Sequence, residues 1–597
     1  MARHHSPVAR RFLRLGVLAL VVASNASCAR EAANEADWQS QMIDMKLPKV
    51  GCFTAAFPKL EWTETACVTP PPLPYPPGVG NHNPQIVGGT GTDYAAVVTG
   101  TMTSATGTFP TVTGVTSETG LQGGTGGQVA NIYSLQLNTR PFTTSVCSSD
   151  PNCQGWQQFI YSSGAEQIFI QYWLLSYNTT CPSGWTSYPY PGPTDTSCYR
   201  NGPNATTVAR QPITNLASLS LTGSATAGGN DTIIMSTGTS TLNAANQDTI
   251  LNLAGSWTAV EFAIVGDCCS AMANFNAGAT VEVRTTVHNG TTNAPTCIMR
   301  SYTGESNNLT LVGAGTLATG AAPAIQSSQS NVAGTAASCA TAAGIGDPHL
   351  RTFIGLMYDF QATGDFVLAG EPDFAVHARQ ISGGSRWPNV AVNAAVATRM
   401  GDTRVAVCGG ESPLVVDGAL ITVDDGKVLE LPSGVYIIRT GNVYLVIDQA
   451  GNSMRAAVNS GWIDVSVGLG SWPADVHGLL ANPDGNAEAL AGRDGAVITI
   501  PLTLDELYGK FGESWRVPPD ESMLDVCGAE REHGTPSATF GVKDLDQAEA
   551  EQARATCLEA GAREGAVLDA CIIDVVVLGK DAAAVYAGVA PPLAVGQ

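Results

Sequence analysis

A short loop in the second half of the chain carries oxygen donors at alternate positions. Asn482, Asp484 and Asn486 alternate in a loop that also contains Gly485. Alternation within a tight turn places carboxamide and carboxylate oxygens on one side of the chain, and hard oxygen donors suit Ca²⁺. The spacing therefore predicts a calcium-binding loop, with a plain polar turn as the alternative.

Four ordered motifs around this loop carry a family resemblance. They are Gly346–Gln361, which opens Gly-Asp-Pro-His and ends Tyr-Asp-Phe-Gln, then Gly364–Leu368, His477–Asn486 and Phe511–Val517. Together they resemble the von Willebrand factor type D domain, over residues 344–530, under a third of the chain. The resemblance implies a second β domain and a structural calcium ion.

The resemblance also implies a ligand set for this ion. In the family, the aspartate of the first motif and the Asn/Asp loop form the calcium site. The implied ligands are Asp347, Asn482, Asp484, Asn486 and Glu488. Glu488 substitutes for a pair of aspartates that the family has and that Ala489 and Leu490 replace here, so the ligand count falls.

The Asp347–Pro348 bond suggests a second chemistry for the same residue. Proline contributes a tertiary amide nitrogen, and an aspartate carboxylate can attack its own carbonyl carbon, forming an anhydride and freeing the proline nitrogen. Some family members with this motif cleave themselves in mildly acidic conditions. The resemblance thus implies self-cleavage between Asp347 and Pro348, with a ligand and turn-forming role for Asp347 as the alternative.

Polar residues also occur in three apolar strands of the N-terminal half. Gln157 and Gln158 precede Phe159, Gln171 lies in a second apolar run, and Glu261 alternates with apolar residues in a third. This order distantly resembles the glutamic peptidases (the eqolisin and neprosin-like groups), in which a glutamate base and a Gln or Glu lie side by side in a β-sandwich groove. The resemblance implies Glu261 as the base, Gln158 (or Gln157 or Gln171) as its amide partner, and residues 29–80 as a propeptide. A glutamate on a solvated strand face is the alternative.

The composition limits the function classes. The chain has 597 residues, 13% of them charged, and a net charge of −22. So few charges exclude a charge-rich disordered chain and a coiled coil, and the negative balance argues against a nucleic-acid partner. The eight histidines are scattered and show no zinc-ligand spacing.

The N-terminus has the pattern of an export signal. Four arginines precede the apolar run 15–23, and small residues follow up to Cys28. Nine residues are too few to span a bilayer, which needs about 20, so residues 1–28 are interpreted as a signal peptide. Ordinary cleavage near Ala26 and lipidation of Cys28 at an imperfect lipobox stay open. The expected location is secreted or attached to the cell envelope, with a lipid anchor as the only membrane contact.

The odd cysteine count supports export. Of 15 cysteines, Cys28 belongs to the signal or carries a lipid, which leaves enough for seven disulfides. We expect one bridge between Cys297 and Cys339 and expect the adjacent Cys268 and Cys269 each to pair elsewhere. The other candidates are Cys52 with Cys67, Cys147, Cys153, Cys181, Cys198, and Cys557 and Cys571 in the tail.

The expected fold class is mainly β. Short apolar runs with Gly and Asn turns predict a disulfide-rich β-sandwich over residues 81–313. A leader and Pro-rich linker (29–80) precede it, and an Ala/Ser/Thr-rich linker (314–343) follows. After the type D domain (344–530), the spacing of residues 540–590 predicts a small disulfide-pinned α cap that includes a short strand, Ile572–Leu578.

Two functions stand as hypotheses. The first is an exported modular binding or adhesion protein, whose calcium-stabilised type D domain binds an extracellular protein or glycan. The second is a secreted acid peptidase of the glutamic type, with Glu261 as its base.

Overall fold

The protein is mainly β, as expected. A computed structural model describes residues 34–587 and 589, except 79–82, 90, 148–149, 333–336, 411–413 and 529. The signal segment, including Cys28, lies outside the described residues. The α-helices of the described part are α1 (Glu35–Asp44), α2 (Gln547–Ala560) and α3 (Ala566–Leu578).

Two 10-stranded antiparallel sheets form the N-terminal sandwich. The front sheet contains, in spatial order, Thr186–Tyr188, Ser197–Asn201, Gln167–Leu175, Gln154–Ser162, Ser134–Thr139, Ala259–Val265, Tyr94–Val97, Thr296–Met299 and Ser471–Trp472, with Thr206–Thr207 beside Gln167–Leu175. The back sheet contains Thr63–Thr65, Cys52–Ala56, Ser240–Gln247, Asn230–Thr237, Leu219–Ala225, Ser104–Thr108, Thr280–His288, Ala324–Ser330 and Thr310–Ala318, with Val112–Thr113 beside Thr280–His288.

Aromatic rings fix which face of each front strand turns inward. A Cβ on Gly107 of the back sheet would lie 2.1 Å from Cγ of Phe262, and one on Gly223 would lie 2.6 Å from Cδ2 of Phe159. Both rings therefore pack directly on back-sheet glycines. Because side chains alternate along a strand, the neighbours of these rings, Gln158 and Glu261, face away from the back sheet.

The segment predicted as a second linker is largely sheet. Residues Thr310–Ala318 and Ala324–Ser330 form an edge hairpin of the back sheet, and Ala340–Ile345 begins the next sheet. Their small Ala, Ser, Thr and Gln side chains resemble a linker in composition, yet they fit a pleated edge whose one face is covered. The linker prediction for residues 314–343 was therefore wrong for most of its length.

A second β unit follows, built on two main sheets. Its eight-stranded sheet contains Met357–Asp359, His349–Arg351, Ala340–Ile345, Ile463–Leu469, Ser453–Val458, Val443–Ile447, Tyr436–Thr440 and Val428–Glu430. Its six-stranded sheet contains Gly364–Glu371, Phe374–Ser382, Ala391–Met400, Thr403–Cys408, Leu414–Val416 and Ala419–Leu420. The pair Ala489–Ala491 and Val497–Thr499 lies apart.

The two β units are joined in two ways. Ser471–Trp472 of the second unit pairs with Thr296–Met299 of the front sheet, and the Cys297–Cys339 disulfide crosses the same boundary. A further small sheet, on the sandwich side, contains Gly91–Thr92, Asn83–Gly88, Ser306–Asn307, Met272–Phe275, Glu118–Leu121 and Gln128–Ala130.

The part of the C-terminal tail that was predicted as a strand is helical. Ile572–Leu578 belongs to α3, although its β-branched residues favour a strand. Ile572 and Ile573 are buried, and burial of an apolar helix against its neighbours overrides that preference. The disulfide Cys557–Cys571 joins α2 to α3, as predicted.

Seven disulfides pair all the cysteines within the described residues. The expected bridges Cys52–Cys67 and Cys297–Cys339 are confirmed, and the remaining candidates pair as Cys147–Cys153 and Cys181–Cys198, with Cys408–Cys527 in addition. The prediction for the adjacent pair was wrong, because Cys268 bonds to Cys269. This disulfide content indicates an extracellular environment. Among the described helices, none has the length and apolar character needed to cross a membrane.

The contact between Gly107 and Phe262 gives a stability prediction. In Gly107→Ala, the new methyl group overlaps the Phe262 ring, so we expect a loss of about 1–3 kcal/mol in unfolding free energy and a melting temperature lower by several degrees. The matched control is Gly127→Ala, where an added Cβ meets nothing within 4 Å. Equal melting temperatures for the two variants, measured by calorimetry, would contradict the packing described.

Candidate active site

A row of polar side chains crosses the centre of the front sheet. Five residues stand opposite one another on adjacent strands, in the order Glu261, Asn138, Gln158, Gln171 and Asn201. We call them the polar row. The first four are fully buried. Because the register aligns them, they share the face that turns away from the back sheet.

Glu261 forms one end of this row and accepts hydrogen bonds from the loop that follows Thr296–Met299. The backbone N–H of Tyr302 donates to Oε2 at 2.6 Å, and the Ser301 hydroxyl donates to Oε1 at 3.1 Å. Burial raises the pKa of Glu261 to about 7, although both bonds favour the charged form. Glu261 can therefore gain or lose a proton in the mildly acidic to neutral range.

A second buried carboxyl group lies close enough to interact with Glu261. Asp93 is 1% exposed, and its pKa is raised well above the usual range, first by burial and then by the charge of Glu261. Two buried carboxyl groups in one site disfavour double ionisation. The pair therefore favours holding one proton between them.

Gln158 is oriented by amide neighbours. Its Nε2 donates to Oδ1 of Asn138 at 3.0 Å and to Oε1 of Gln136 at 3.2 Å. Oε1 of Gln158 is buried without a hydrogen-bond partner, and the buried Asn138 amide interacts with Glu261 and favours its charged form. The structure thus places Gln158 in one row with Glu261, but Asn138 lies between them. Asn138 is consequently the amide nearest the base.

The two alternative glutamines have different surroundings. Gln157 faces the back sheet, where its Nε2 donates to Oδ2 of Asp231 at 2.9 Å. Gln171 lies in the polar row beyond Gln158. Only Gln158 and Gln171, of the three glutamines predicted, share the face of Glu261.

The Pro-rich segment Pro70–Gly78, which we call the strap, crosses this face. The backbone N–H of Tyr75 donates to Oε1 of Gln171 at 2.8 Å, and Nε2 of Gln171 donates to the Leu73 carbonyl at 2.9 Å. Nδ2 of Asn201 donates to the Pro71 carbonyl at 2.6 Å. The sequence predicted a Pro-rich linker here. Instead, the carbonyls of Pro71 and Leu73 accept hydrogen bonds from side chains of the polar row.

The strap continues toward Glu261 at its other end. Gly78 N–H donates to the carbonyl of Tyr302 at 2.9 Å, and Tyr302 itself donates to Glu261. The Tyr75 ring is fully buried, and its hydroxyl donates to Asp267 at 2.8 Å. The strap thus runs from Asn201 to the neighbourhood of Glu261.

Aromatic residues line the next row of the same face. Trp156, Trp173 and Tyr199 stand opposite one another, two positions along from the polar row. The rings of Trp173 and Tyr199 stack with centroids 5.1 Å apart, and Nε1 of Trp173 donates to Oε1 of Gln171 at 3.0 Å. The face therefore combines an amide-rich row with an apolar wall.

A further buried carboxylate orients the amides. Glu305 accepts hydrogen bonds from Nε2 of Gln136 at 3.3 Å and from Ser270 N–H at 3.1 Å. Burial raises its pKa to about 7. Through Gln136, Glu305 is connected to Gln158 and so to the polar row.

The residues predicted to bind calcium fall into two places. Asp347 is fully buried and makes its polar contacts with His349 and Asp574. The loop contains a 3-10 turn, Pro483–Gly485, which includes Asp484. Nδ2 of Asn482 donates to the Ala489 carbonyl. Exposed Asn486 accepts from the N–H of exposed Glu488. Asp347, Asn482, Asn486 and Glu488 do not share a common set of described contacts, and calcium stays a prediction.

The Asp347–Pro348 bond lies in the turn between Ala340–Ile345 and His349–Arg351. An Asp347 oxygen contacts Nε2 of His349, and the Asp347 N–H donates to Oδ1 of Asp574 at 2.8 Å. Self-cleavage at this bond likewise stays a prediction.

Sequence reasoning missed four residues of the front-sheet site. Gln136 and Asn138 alternate with apolar residues in Ser134–Thr139, which is the pattern that singled out Glu261, so this signal was present. Asp93 and Glu305 lie just outside the strands and have no such pattern. Their proximity to the row depends on the folded chain.

Comparison with known proteins gives little beyond this geometry. No family model matches the chain. One similar solved structure is scytalido-glutamic peptidase with a transition state analog inhibitor, at 12% identity, covering 42% of this chain and 98% of that chain with a TM-score of 0.16. This value is too low to carry an argument. The type D resemblance of residues 344–530 has no support from either comparison.

The buried carboxyl groups predict a pH-dependent stability. Burial raises the pKa of Glu261 and Glu305 to about 7 and that of Glu118 to about 8. A carboxyl group whose pKa is raised on folding stabilises the fold below its unfolded pKa, and this contribution is lost as the pH rises through the folded pKa. We therefore expect a melting temperature several degrees higher near pH 5 than near pH 8.

The matched variants are Glu305→Gln and Glu559→Gln. The first removes a buried titrating group and should shrink the difference between the two pH values. The second alters an exposed residue of α2 and should leave it unchanged. A melting temperature that does not fall between these pH values would contradict the raised pKa values.

Proposed function

We propose that the N-terminal sandwich is a latent endopeptidase of the glutamic type, with Glu261 as its general base. The observation that carries the proposal is the strap, an extended stretch of polypeptide hydrogen-bonded along the polar row. A site that holds the chain's own extended backbone has the donors and acceptors to hold a substrate backbone. The hypothesis agrees with the order of Gln158 and Glu261 in the sequence.

Gln171 supports peptide binding most directly. Its carboxamide accepts from the N–H of Tyr75 and donates to the carbonyl of Leu73, two residues earlier. This is how a neighbouring strand pairs with an extended peptide. The pattern is independent of strap side chains, so a substrate segment could replace the strap on the same amide. The apolar wall of Trp156, Trp173 and Tyr199 would then lie beside the substrate.

The chemistry follows from the end of the row at Glu261. Ionised Glu261 takes a proton from water as the water oxygen attacks the peptide carbonyl carbon. An amide nitrogen of Asn138 or Gln158 donates to the oxygen that becomes negative. Glu261 then returns the proton to the leaving nitrogen as the carbon–nitrogen bond breaks. The buried side-chain amide of Asn138, which stands opposite Glu261 and interacts with it, suits the donor role.

Latency follows from the position of the strap. With Gly78 bonded to Tyr302 beside Glu261, and Pro71 bonded to Asn201 at the far end, the strap covers the row from end to end. Displacement of the strap would admit both water and substrate. Water would also lessen the burial that raises the pKa of Glu261, so the base would ionise at lower pH.

The second hypothesis is adhesion through a calcium-stabilised domain. It stays a prediction for the second β unit, because no contact among the described residues favours one extracellular partner over another.

The direct test is controlled release of the strap. A recognition site for a specific protease inserted within residues 79–82 lets the strap be cut at its C-terminal end, while strand Cys52–Ala56, paired with Ser240–Gln247, holds the leader on the back sheet. We expect cleavage of a denatured protein substrate in acid only after this cut. The Glu261→Gln variant, cut in the same way, should be inactive.

Two controls separate catalysis from folding. Glu282→Gln, on the back sheet, should keep the activity gained on cutting, and each variant should keep its melting transition. Asn138→Ala should lower kcat by roughly 100-fold or more with a smaller change in KM, as expected for a donor to the developing oxyanion. Cut protein no more active than its Glu261→Gln variant would refute the proposal.

A further inference from the structure

A cluster of buried metal-ligand side chains lies at the junction of the second β unit with the C-terminal helices. Asp347, His349 and Asp574 each offer one ligand atom, and these atoms lie within 4.8 Å of one another. All three residues are at most 1% exposed. We propose that this cluster binds a divalent transition metal, zinc in the first place, and so fastens α3 to the β unit.

The orientation of the side chains supports a ligand between them. Nε2 of His349 contacts Oδ1 of Asp347, whereas the buried Oδ2 of Asp347 has no hydrogen-bond partner. Oδ1 of Asp574 lies 3.7 Å from the same Nε2. A buried carboxylate oxygen without a hydrogen bond is uncommon in folded proteins. A cation at the point of convergence would give Asp347 a further partner and would be shared with His349 and Asp574.

The surrounding residues prepare the ligands for a metal. Nδ1 of His349 lies 2.6 Å from Oδ1 of Asp359, an arrangement that fixes the imidazole and leaves Nε2 for coordination. Oδ2 of Asp574 accepts from the hydroxyl of Tyr586, and Oδ1 accepts from the N–H of Asp347 at 2.8 Å. Carboxylate–histidine–metal arrangements of this kind are typical of zinc sites.

The donor set favours zinc over calcium. Calcium takes six to eight oxygen ligands, whereas zinc accepts imidazole nitrogen and carboxylate oxygen, often with a water in the fourth position. The two aspartates, when ionised, would balance the charge of a divalent ion. This balance would explain how two carboxylates are tolerated in a buried place. Asp359, whose side chain is half exposed, marks the side from which an ion could enter.

The same cluster explains why residue 346 is a glycine. Gly346 has a φ of +60°, and a Cβ on it would lie 1.7 Å from Oδ2 of Asp574. The Asp574 carboxylate thus fills the space that a side chain at position 346 would need. The close approach ties the turn at Asp347 to α3, which follows more than 200 residues later.

The test measures zinc in the untagged full-length chain. After chelation and buffer exchange, the protein receives one equivalent of Zn²⁺, passes through gel filtration, and is analysed for metal. We expect about one zinc per chain and a melting temperature several degrees higher than that of the chelated protein. Absence of retained zinc, or a melting temperature raised by Ca²⁺ but not by Zn²⁺, would overturn the proposal.

Variants locate the ion. His349→Gln and Asp574→Asn should each abolish zinc retention, whereas His533→Gln, at an exposed histidine, should retain it. If the first two variants fail to fold, Co²⁺ added to the wild-type chain gives an independent readout, because ligand-field absorption reports imidazole and carboxylate ligation. Cobalt spectra of a fully hydrated ion would also overturn the proposal.

Discussion

The burial of Glu261 is the constraint on which the front-sheet site depends. A carboxyl group at the centre of a sheet face needs donors, and the chain supplies them from Tyr302 and Ser301 rather than from water. Tyr302 in turn accepts from Gly78 of the strap. The same few hydrogen bonds therefore hold the base, the loop beside it and the segment that covers it.

The packing between the front and back sheets fixes which face of the front sheet carries Glu261 and Gln158. Phe159 and Phe262 press on Gly223 and Gly107 of the back sheet, so a shift of one residue in either strand would direct Gln158 or Glu261 into that core. Burial of a polar residue there without partners would cost several kcal/mol, on the order of 2–7 for one such group. The aromatic core thus specifies the face on which the chemistry lies.

The limits of sequence reasoning are visible at particular residues. Alternation was enough to place Glu261 on a strand, and cysteine counting was enough to propose Cys297–Cys339. It failed for Cys268 and Cys269, because pairing between adjacent residues depends on local backbone conformation, here a positive φ at both. Spacing also could not bring Asp574 to Asp347, since only tertiary packing joins α3 to that turn.

The central claim is that the strap lies on the polar row as a bound peptide, and amide hydrogen exchange tests it most directly. The strap has few N–H groups, because six of its nine residues are proline. In the intact chain, the N–H groups of Tyr75 and Gly78 are predicted to exchange far more slowly than in an unstructured peptide, since both are hydrogen-bonded. Exchange at the rate of an unstructured peptide would contradict the account.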